Sequence, residues 1–141
     1  MKKVFMVLLC VVLVFSSIAC TAKQPAQTES KGRVGVSMPT KSSERWIRDG
    51  EGIKAGLEAL GYEVDLQFAE DVVEAQVSQI ENMLMKGVDA LVIAAIDGAT
   101  LTDVCAKAKE QGAVIVAYDR LLMNTSDVDY YATFDSIAIG Q

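Results

Sequence analysis

The sequence has no histidine and only three cysteines among its 141 residues. Without histidine, catalysis by an imidazole base and metal sites built from imidazole ligands are excluded. The cysteines lie in unrelated contexts: Cys10 is inside an N-terminal apolar run, Cys20 ends that run, and Cys105 falls on the apolar face of a predicted helix. This distribution indicates neither a disulfide nor a metal site, and Cys105 is expected to be a small buried hydrophobe rather than a reactive thiol.

Basic residues are also scarce, with 13 Lys and Arg against 19 Asp and Glu, which gives a formal net charge of −6. The first twenty residues contribute only Lys2 and Lys3, so the remainder carries 11 basic and 19 acidic groups, or −8. Because a nucleic-acid partner would require a basic surface, this balance argues against one. The hydrophobic fraction of 51% is enough to bury a core, and the length predicts a single domain.

The N-terminal twenty residues are typical of a signal peptide. Lys2 and Lys3 precede an apolar run, Val4 to Phe15, that is too short for a permanent membrane-spanning helix. The sequence Ser-Ile-Ala-Cys at 17–20 resembles a bacterial lipobox, in which Cys20 would be lipidated after cleavage, although Ser17 stands where such motifs usually have Leu. Conventional cleavage near Ala19 is the alternative. Either way, the mature protein is expected to be exported.

Residues 21–32 are polar, contain one proline and show no apolar periodicity. They are expected to form a flexible tether that holds a domain away from a membrane surface. A disordered terminus without a tethering role would have the same composition.

From Arg33 onwards the sequence alternates between strand and helix patterns with short connections. Apolar or alternating segments predict five strands: Val34 to Met38, Glu63 to Phe68, Ala90 to Ile96, Ala113 to Tyr118 and Asp129 to Phe134. The second strand alternates and is expected to lie near a sheet edge. The pattern of the fifth strand is the weakest. Helical spacing predicts three helices, each followed by a glycine. The first two run from Trp46 to Leu60 and from Val73 to Leu84. The third is expected to begin at a capping box formed by Thr100 and Asp103 and to end at Gly112. Residues 135–141 look like the start of another helix.

Regular alternation of strands and helices predicts an α/β fold with a doubly wound parallel sheet. In such sheets, ligands bind outside the carboxyl ends of the strands. Three predicted loops should therefore gather at one edge: Pro39 to Trp46, Ala95 to Gly98, and Tyr118 to Arg120.

Asp119 and Arg120 are the strongest candidates for a ligand role. They follow an apolar strand directly, although a buried strand gains nothing from a charged pair at its tip. A carboxylate that accepts hydrogen bonds beside a guanidinium that donates several is suited to binding hydroxyl groups. The alternative is an ordinary loop salt bridge between them, but their place at the expected binding edge favours the ligand role.

Four separated motifs resemble the N-terminal lobe of periplasmic sugar-binding proteins that serve ABC importers, most closely the D-xylose-binding and multiple-sugar-binding branch. They are VGVSMPTKSSERW, SQIENMLMKGVDALVIAAIDG, VIVAYDRL and VDYYATFD, and the similarity runs from about Arg33 to Gln141. The resemblance implies a type I periplasmic-binding-protein-like plan, in which two doubly wound lobes enclose a sugar. It also implies a sugar-binding lobe at 33–135 that is incomplete here, a crossover near 133–135, and residues 136–141 as the start of a second lobe that this sequence does not contain.

The resemblance further implies that Asp119 and Arg120 contact sugar hydroxyls, with Arg45 and Lys41 as the next candidates. Trp46 is either an aromatic platform for the sugar or a core residue, because it also lies on the apolar face of the first helix. Asp97 is at the expected edge and is either a ligand contact or the turn before the third helix.

The expected function is the substrate-binding component of a sugar ABC importer, which binds a xylose-like or other aldose monosaccharide and delivers it to a membrane permease. No cofactor, metal or nucleic acid is expected. An exported sugar sensor that signals to a receptor is the alternative. An enzyme is disfavoured, because the sequence lacks GxGxxG, GxxxxGK[ST] and GxSxG motifs. A sugar-responsive repressor would need a basic helix-turn-helix at the N-terminus, where a signal peptide is predicted instead.

Overall fold

The computed structural model describes residues 30–135. The predicted signal peptide, the lipobox at Cys20, nearly all of the tether and the start of the second lobe lie outside the described residues. No helix between residues 30 and 135 is both long enough and apolar enough to span a bilayer.

The described residues form one parallel sheet of five strands with three helices. The strands are β1 (Arg33–Met38), β2 (Glu63–Phe68), β3 (Ala90–Ile93), β4 (Val114–Tyr118) and β5 (Tyr130–Ala132). The helices are α1 (Glu44–Ala59), α2 (Val73–Met85) and α3 (Thr102–Glu110). The strand order is β2-β1-β3-β4-β5. From β1 the chain first adds β2 on one side, and it then crosses to the other side of β1 to add β3, β4 and β5. This reversal puts helices on both faces, as the predicted doubly wound sheet requires.

The two faces of the sheet have separate cores. Leu91, Ile93 and Ile115 pack with α2 and α3 on one face, and Val36 and Met38 pack with α1 on the other. Cys105 belongs to the first core, as predicted, and burial raises the pKa of its thiol to about 11. Because α1 covers only the β1–β2 half of its face, Val114 and Tyr130 on the β4–β5 half remain exposed.

The predicted strands and helices agree with the structure in type and order, but some boundaries differ, and β5 covers only Tyr130–Ala132 instead of the predicted Asp129 to Phe134. β2 is an edge strand, as predicted, and the glycines at 61, 87 and 112 follow the three helices with φ between +73° and +92°. β3, however, ends at Ile93 instead of Ile96. The predicted capping box is wrong, because α3 is preceded by Leu101 and the Thr100 hydroxyl donates to the Asp97 carbonyl instead of capping the helix.

Gly98 allows two loops at the carboxyl edge to approach each other closely. Its carbonyl accepts a hydrogen bond of 2.8 Å from the Met123 amide. A Cβ atom at this position would lie 2.2 Å from the Leu121 carbonyl oxygen, which is backbone and cannot rotate away. The contact between the β3–α3 loop and the β4–β5 loop therefore depends on the absence of a side chain here.

We expect Gly98→Ala to lower the free energy of unfolding by about 1–3 kcal/mol, because one of the two loops must move to relieve the clash. Gly52→Ala on α1 is the control, since a Cβ atom there meets nothing within 4 Å. That change should raise the free energy of unfolding by about 0.5–1 kcal/mol through helix propensity. Chemical denaturation of both variants tests the prediction, and equal midpoints would contradict it.

Candidate functional site

The carboxyl ends of β4 and β5 and the first turn of α1 enclose a cavity of about 240 Å³. Its lining residues are Arg45, Tyr118, Asp119, Ala132, Thr133 and Phe134. Two of these, Arg45 and Asp119, were predicted from the sequence. The cavity is open to solvent on one side, and it lies at the edge of the sheet where ligands of doubly wound folds bind.

Asp119 pairs with Arg45 rather than with its neighbour Arg120. The Arg45 guanidinium donates through Nη2 to Asp119 Oδ1, and its Nε lies 3.4 Å from Asp49 Oδ2, one turn further along α1. The hydrogen bond from Arg45 to Asp119 raises the pKa of the guanidinium, so Arg45 remains a cation. The Asp119 side chain is only 13% exposed, which strengthens its interaction with Arg45 relative to a pair in open water.

The backbone of Asp119 is in the left-handed region, with φ +62°. This conformation is costly for a residue with a side chain, so neighbouring groups must stabilise it. The Asp119 amide donates to the Ala132 carbonyl at 2.8 Å, and the Tyr131 hydroxyl donates to the Asp119 carbonyl at 3.0 Å. β5 therefore fixes the direction in which the carboxylate points.

Arg120 contacts a different part of the carboxyl edge of the sheet. Its Nη1 donates to the Ala95 carbonyl at 2.8 Å, in the segment that follows β3, and its guanidinium lies 5.1 Å from the centre of the Trp46 ring. Arg120 is exposed and does not line the cavity. The alternative interpretation of Asp119 and Arg120 as a mutual salt bridge is therefore wrong, since each has another partner.

Trp46 is a core residue in this structure. It is 6% exposed and packs with Val36 and Met38, and the guanidinium groups of Arg45 and Arg120 lie 4.7 Å and 5.1 Å from its ring centre. A ring so enclosed supports the two arginines by cation–π contact.

The aromatic ring exposed at the cavity is that of Phe134, which is 51% exposed and lies 5.6 Å from the Arg45 guanidinium. Phe134 was not predicted as a site residue, although its position at the carboxyl end of the last predicted strand was a signal for it.

Lys41 and Asp97 lie at the same edge but do not line the cavity. The Lys41 ammonium group is 5.2 Å from the ring centre of Phe68, the last residue of β2. Asp97 Oδ1 accepts a hydrogen bond of 2.8 Å from the Ala99 amide, so this carboxylate forms the turn before α3. Within residues 30–135, no group of three or more cysteine, aspartate or glutamate side chains is arranged to hold a metal ion.

Tyr118 completes the wall of the cavity and was also missed. Burial raises the pKa of its hydroxyl above the ordinary value of 10.0, and the Asp49 carboxylate raises it further through its charge and a hydrogen bond. Arg45 and Tyr118 thus share Asp49 as a partner, which links the lining residues through one carboxylate.

The raised pKa of Tyr118 predicts a pH dependence of stability. An acid whose pKa is higher in the folded than in the unfolded state stabilises the fold below its unfolded pKa and loses that contribution as the pH rises through the folded pKa. The free energy of unfolding should therefore fall more steeply above about pH 10 in the wild type than in Tyr118→Phe. Denaturant unfolding of both proteins across this range provides the test, and parallel pH profiles would contradict it.

Comparison with known proteins agrees with the predicted resemblance. The family model described as periplasmic binding protein domain matches residues 34–141. The chain is 54% identical over 116 residues to the multiple sugar-binding periplasmic receptor ChvE of Rhizobium radiobacter, covering 82% of this chain and 33% of the receptor. It is 36% identical over 133 residues to the D-xylose-binding periplasmic protein of Escherichia coli K12, covering 94% and 38% of the two chains.

A solved structure of an ABC transporter solute binding protein from Clostridium phytofermentans, with bound β-D-glucose, is 53% identical with a TM-score of 0.74. The match covers 77% of this chain and 33% of that one. The chain thus spans about a third of the length of the relatives that it matches. The family model and the identities, together with the parallel sheet and its carboxyl-edge cavity, show that this chain belongs to the periplasmic binding protein family, in its sugar-binding branch.

Proposed function

We propose that this chain is the N-terminal sugar-binding lobe of an exported solute-binding protein that serves a sugar ABC importer. Its ligand would be an aldose monosaccharide of the xylose or glucose type. The observation that carries this proposal is the combination in one cavity of a carboxylate, a guanidinium and an exposed aromatic ring, from Asp119, Arg45 and Phe134.

These three groups match the chemistry of a sugar. A carboxylate accepts about four hydrogen bonds and a guanidinium donates five, so the Asp119–Arg45 pair can bind neighbouring hydroxyls that both donate and accept. The Phe134 ring offers an apolar surface for the C–H face of a pyranose. Because the pair is already formed and Asp119 is fixed by β5, little conformational entropy is lost when the sugar binds.

Enclosure of the sugar requires more protein than this chain provides. The cavity is open, and the relatives are about three times as long. We therefore assign residues 33–135 to the first lobe, with the crossover near residues 133–135, and residues 136–141 to the start of a second lobe. A second lobe that closes over the cavity would bury the sugar and supply the remaining contacts, and the closed form would be recognised by a membrane permease.

The proposed location is outside the cell membrane, in the periplasm or on the outer face of the membrane. The predicted signal peptide, the lipobox cysteine at position 20 and the polar tether at 21–32 support a lipid-anchored receptor. The relatives named periplasmic proteins support export independently of the lipid anchor.

A role in sensing is the second candidate. The relative from Rhizobium radiobacter is named a receptor, and closure of two lobes around a sugar can signal to a membrane receptor as well as to a permease. In either role the chain would bind its sugar without covalent chemistry, and the same site would serve both.

Calorimetry with D-glucose and D-xylose tests the proposed binding on two proteins. One is the chain itself, and the other is this chain fused to the remaining two thirds of the 54% identical receptor. We expect the fusion protein to bind at least one sugar and the chain alone to bind at least about 100-fold more weakly, a difference of about 2.8 kcal/mol, because one lobe leaves half of the ligand in water. A folded fusion protein that binds neither sugar would refute the proposed function.

Asp119→Ala in the fusion protein should weaken sugar binding by about 10- to 100-fold, because a charged hydrogen-bond acceptor is lost and Arg45 is left without this partner. The matched control is Asp97→Ala, which removes the same charge from the same edge but outside the cavity. We expect the control to retain affinity within about threefold. Equal losses for the two variants, measured by calorimetry on folded protein, would show that Asp119 has no special role in binding.

A further inference from the structure

Gln76 on α2 is a fully buried polar side chain that does not line the cavity. Its Nε2 donates to the Ser37 hydroxyl at 3.1 Å and to the Ala94 carbonyl at 3.0 Å, and its Oε1 accepts from the Ile96 amide at 2.9 Å. The orientation of the amide is determined by its partners, since a carbonyl can only accept and a peptide N–H can only donate. Gln76 therefore joins α2, β1 and the segment 94–96 in one defined arrangement.

These hydrogen bonds replace the sheet ladder where β3 ends. β3 ends at Ile93, and the Ala94 amide makes one more hydrogen bond of 2.9 Å to the Ser37 carbonyl of β1. After this bond the chain leaves the sheet. Buried backbone groups need partners, and this segment obtains them from two side chains. Gln76 binds the Ala94 carbonyl and the Ile96 amide, and Arg120 donates to the Ala95 carbonyl that lies between them.

We propose that Gln76 is a positioning residue for the sugar site, acting through residues 94–96 on Arg120; this inference rests on the proposed function. With Gln76 in place, the Ala95 carbonyl is held where the Arg120 guanidinium can reach both it and the Trp46 ring. The Trp46 ring also contacts Arg45, the partner of Asp119. A side chain outside the cavity thereby determines the geometry of the charged groups at its edge.

Two substitutions separate positioning from simple core packing. Gln76→Met has a similar length but can make none of the three hydrogen bonds. Gln76→Glu keeps the acceptor for the Ile96 amide and loses the donor to the Ala94 carbonyl whenever the carboxyl is ionised. Ile80→Ala is the matched control, because Ile80 is a fully buried residue one turn further along α2 that makes none of these hydrogen bonds.

The fluorescence of Trp46, the single tryptophan of the chain, reports the position of Arg120 without any sugar. In the full chain, we expect Gln76→Met to shift the emission in the same direction as Arg120→Ala, and the double variant to show no further shift. Ile80→Ala should leave the emission unchanged. If Gln76→Met leaves the emission of folded protein unchanged, or shifts it no differently from Ile80→Ala, the proposal is wrong.

Sugar affinity in the fusion protein provides the functional test. Gln76→Met should weaken binding about tenfold, and in the double variant with Arg120→Ala the two losses should not add, since both act through one contact. Gln76→Glu should bind well at a pH where the buried carboxyl is protonated and can donate, and it should lose affinity as the pH rises and the carboxyl ionises. Additive losses, or a pH dependence of affinity for Gln76→Glu identical to that of the parent fusion protein, would overturn the proposal. If the parent fusion protein binds no sugar, the proposed function fails, and the fluorescence of Trp46 still decides the role of Gln76.

Discussion

The ion pair between Arg45 and Asp119 joins the first helix to the end of the fourth strand, and the candidate site is arranged around it. Asp49 forms a second ion pair with the Arg45 guanidinium, through Nε. A hydrogen bond from the Asp119 amide to Ala132 of β5 stabilises the left-handed backbone of Asp119. Because the carboxylate is mostly shielded from water, the pair interacts more strongly than one at an open surface. The same shielding makes the loss of either partner costly, so the pair stabilises the edge of the sheet, and in the proposed function it also provides hydrogen-bonding groups for a sugar.

The aromatic residues near this pair have different roles that follow from their burial. Trp46 is enclosed by the β1 core, so its ring supports the guanidinium groups of Arg45 and Arg120. Phe134 lies after β5 with half of its surface exposed, and this makes it the ring that a sugar could contact. The position of a ring relative to the sheet, rather than its size, thus decides whether it is buried in the core or exposed at the cavity.

Part of the sheet and the cavity at its carboxyl edge are left uncovered by the described residues. Within residues 30–135, one face carries α2 and α3 and the other carries α1, and the exposed side chains of Val114 and Tyr130 lie on the half that α1 does not cover. The relatives are about three times as long, and the cavity at the carboxyl edge is open to solvent. Buried apolar area is the main source of stability for a lobe of this size, so an uncovered face and an open cavity both indicate surfaces that further protein would cover.

The sequence by itself determined the local features of this protein: the alternation of strands and helices, the glycines that follow the helices, and the gathering of Asp119, Arg120, Arg45, Lys41 and Asp97 at one edge. These depend on hydrophobic periodicity and on the geometry of parallel sheets, which neighbouring residues encode. Only the tertiary structure decided which charged groups pair, because Arg45 and Asp119 are 74 positions apart and no local pattern identifies Arg45 as the partner of Asp119. It likewise decided the burial of Trp46, the exposure of Phe134 and the hydrogen bonds of Gln76, since each depends on how distant elements pack together.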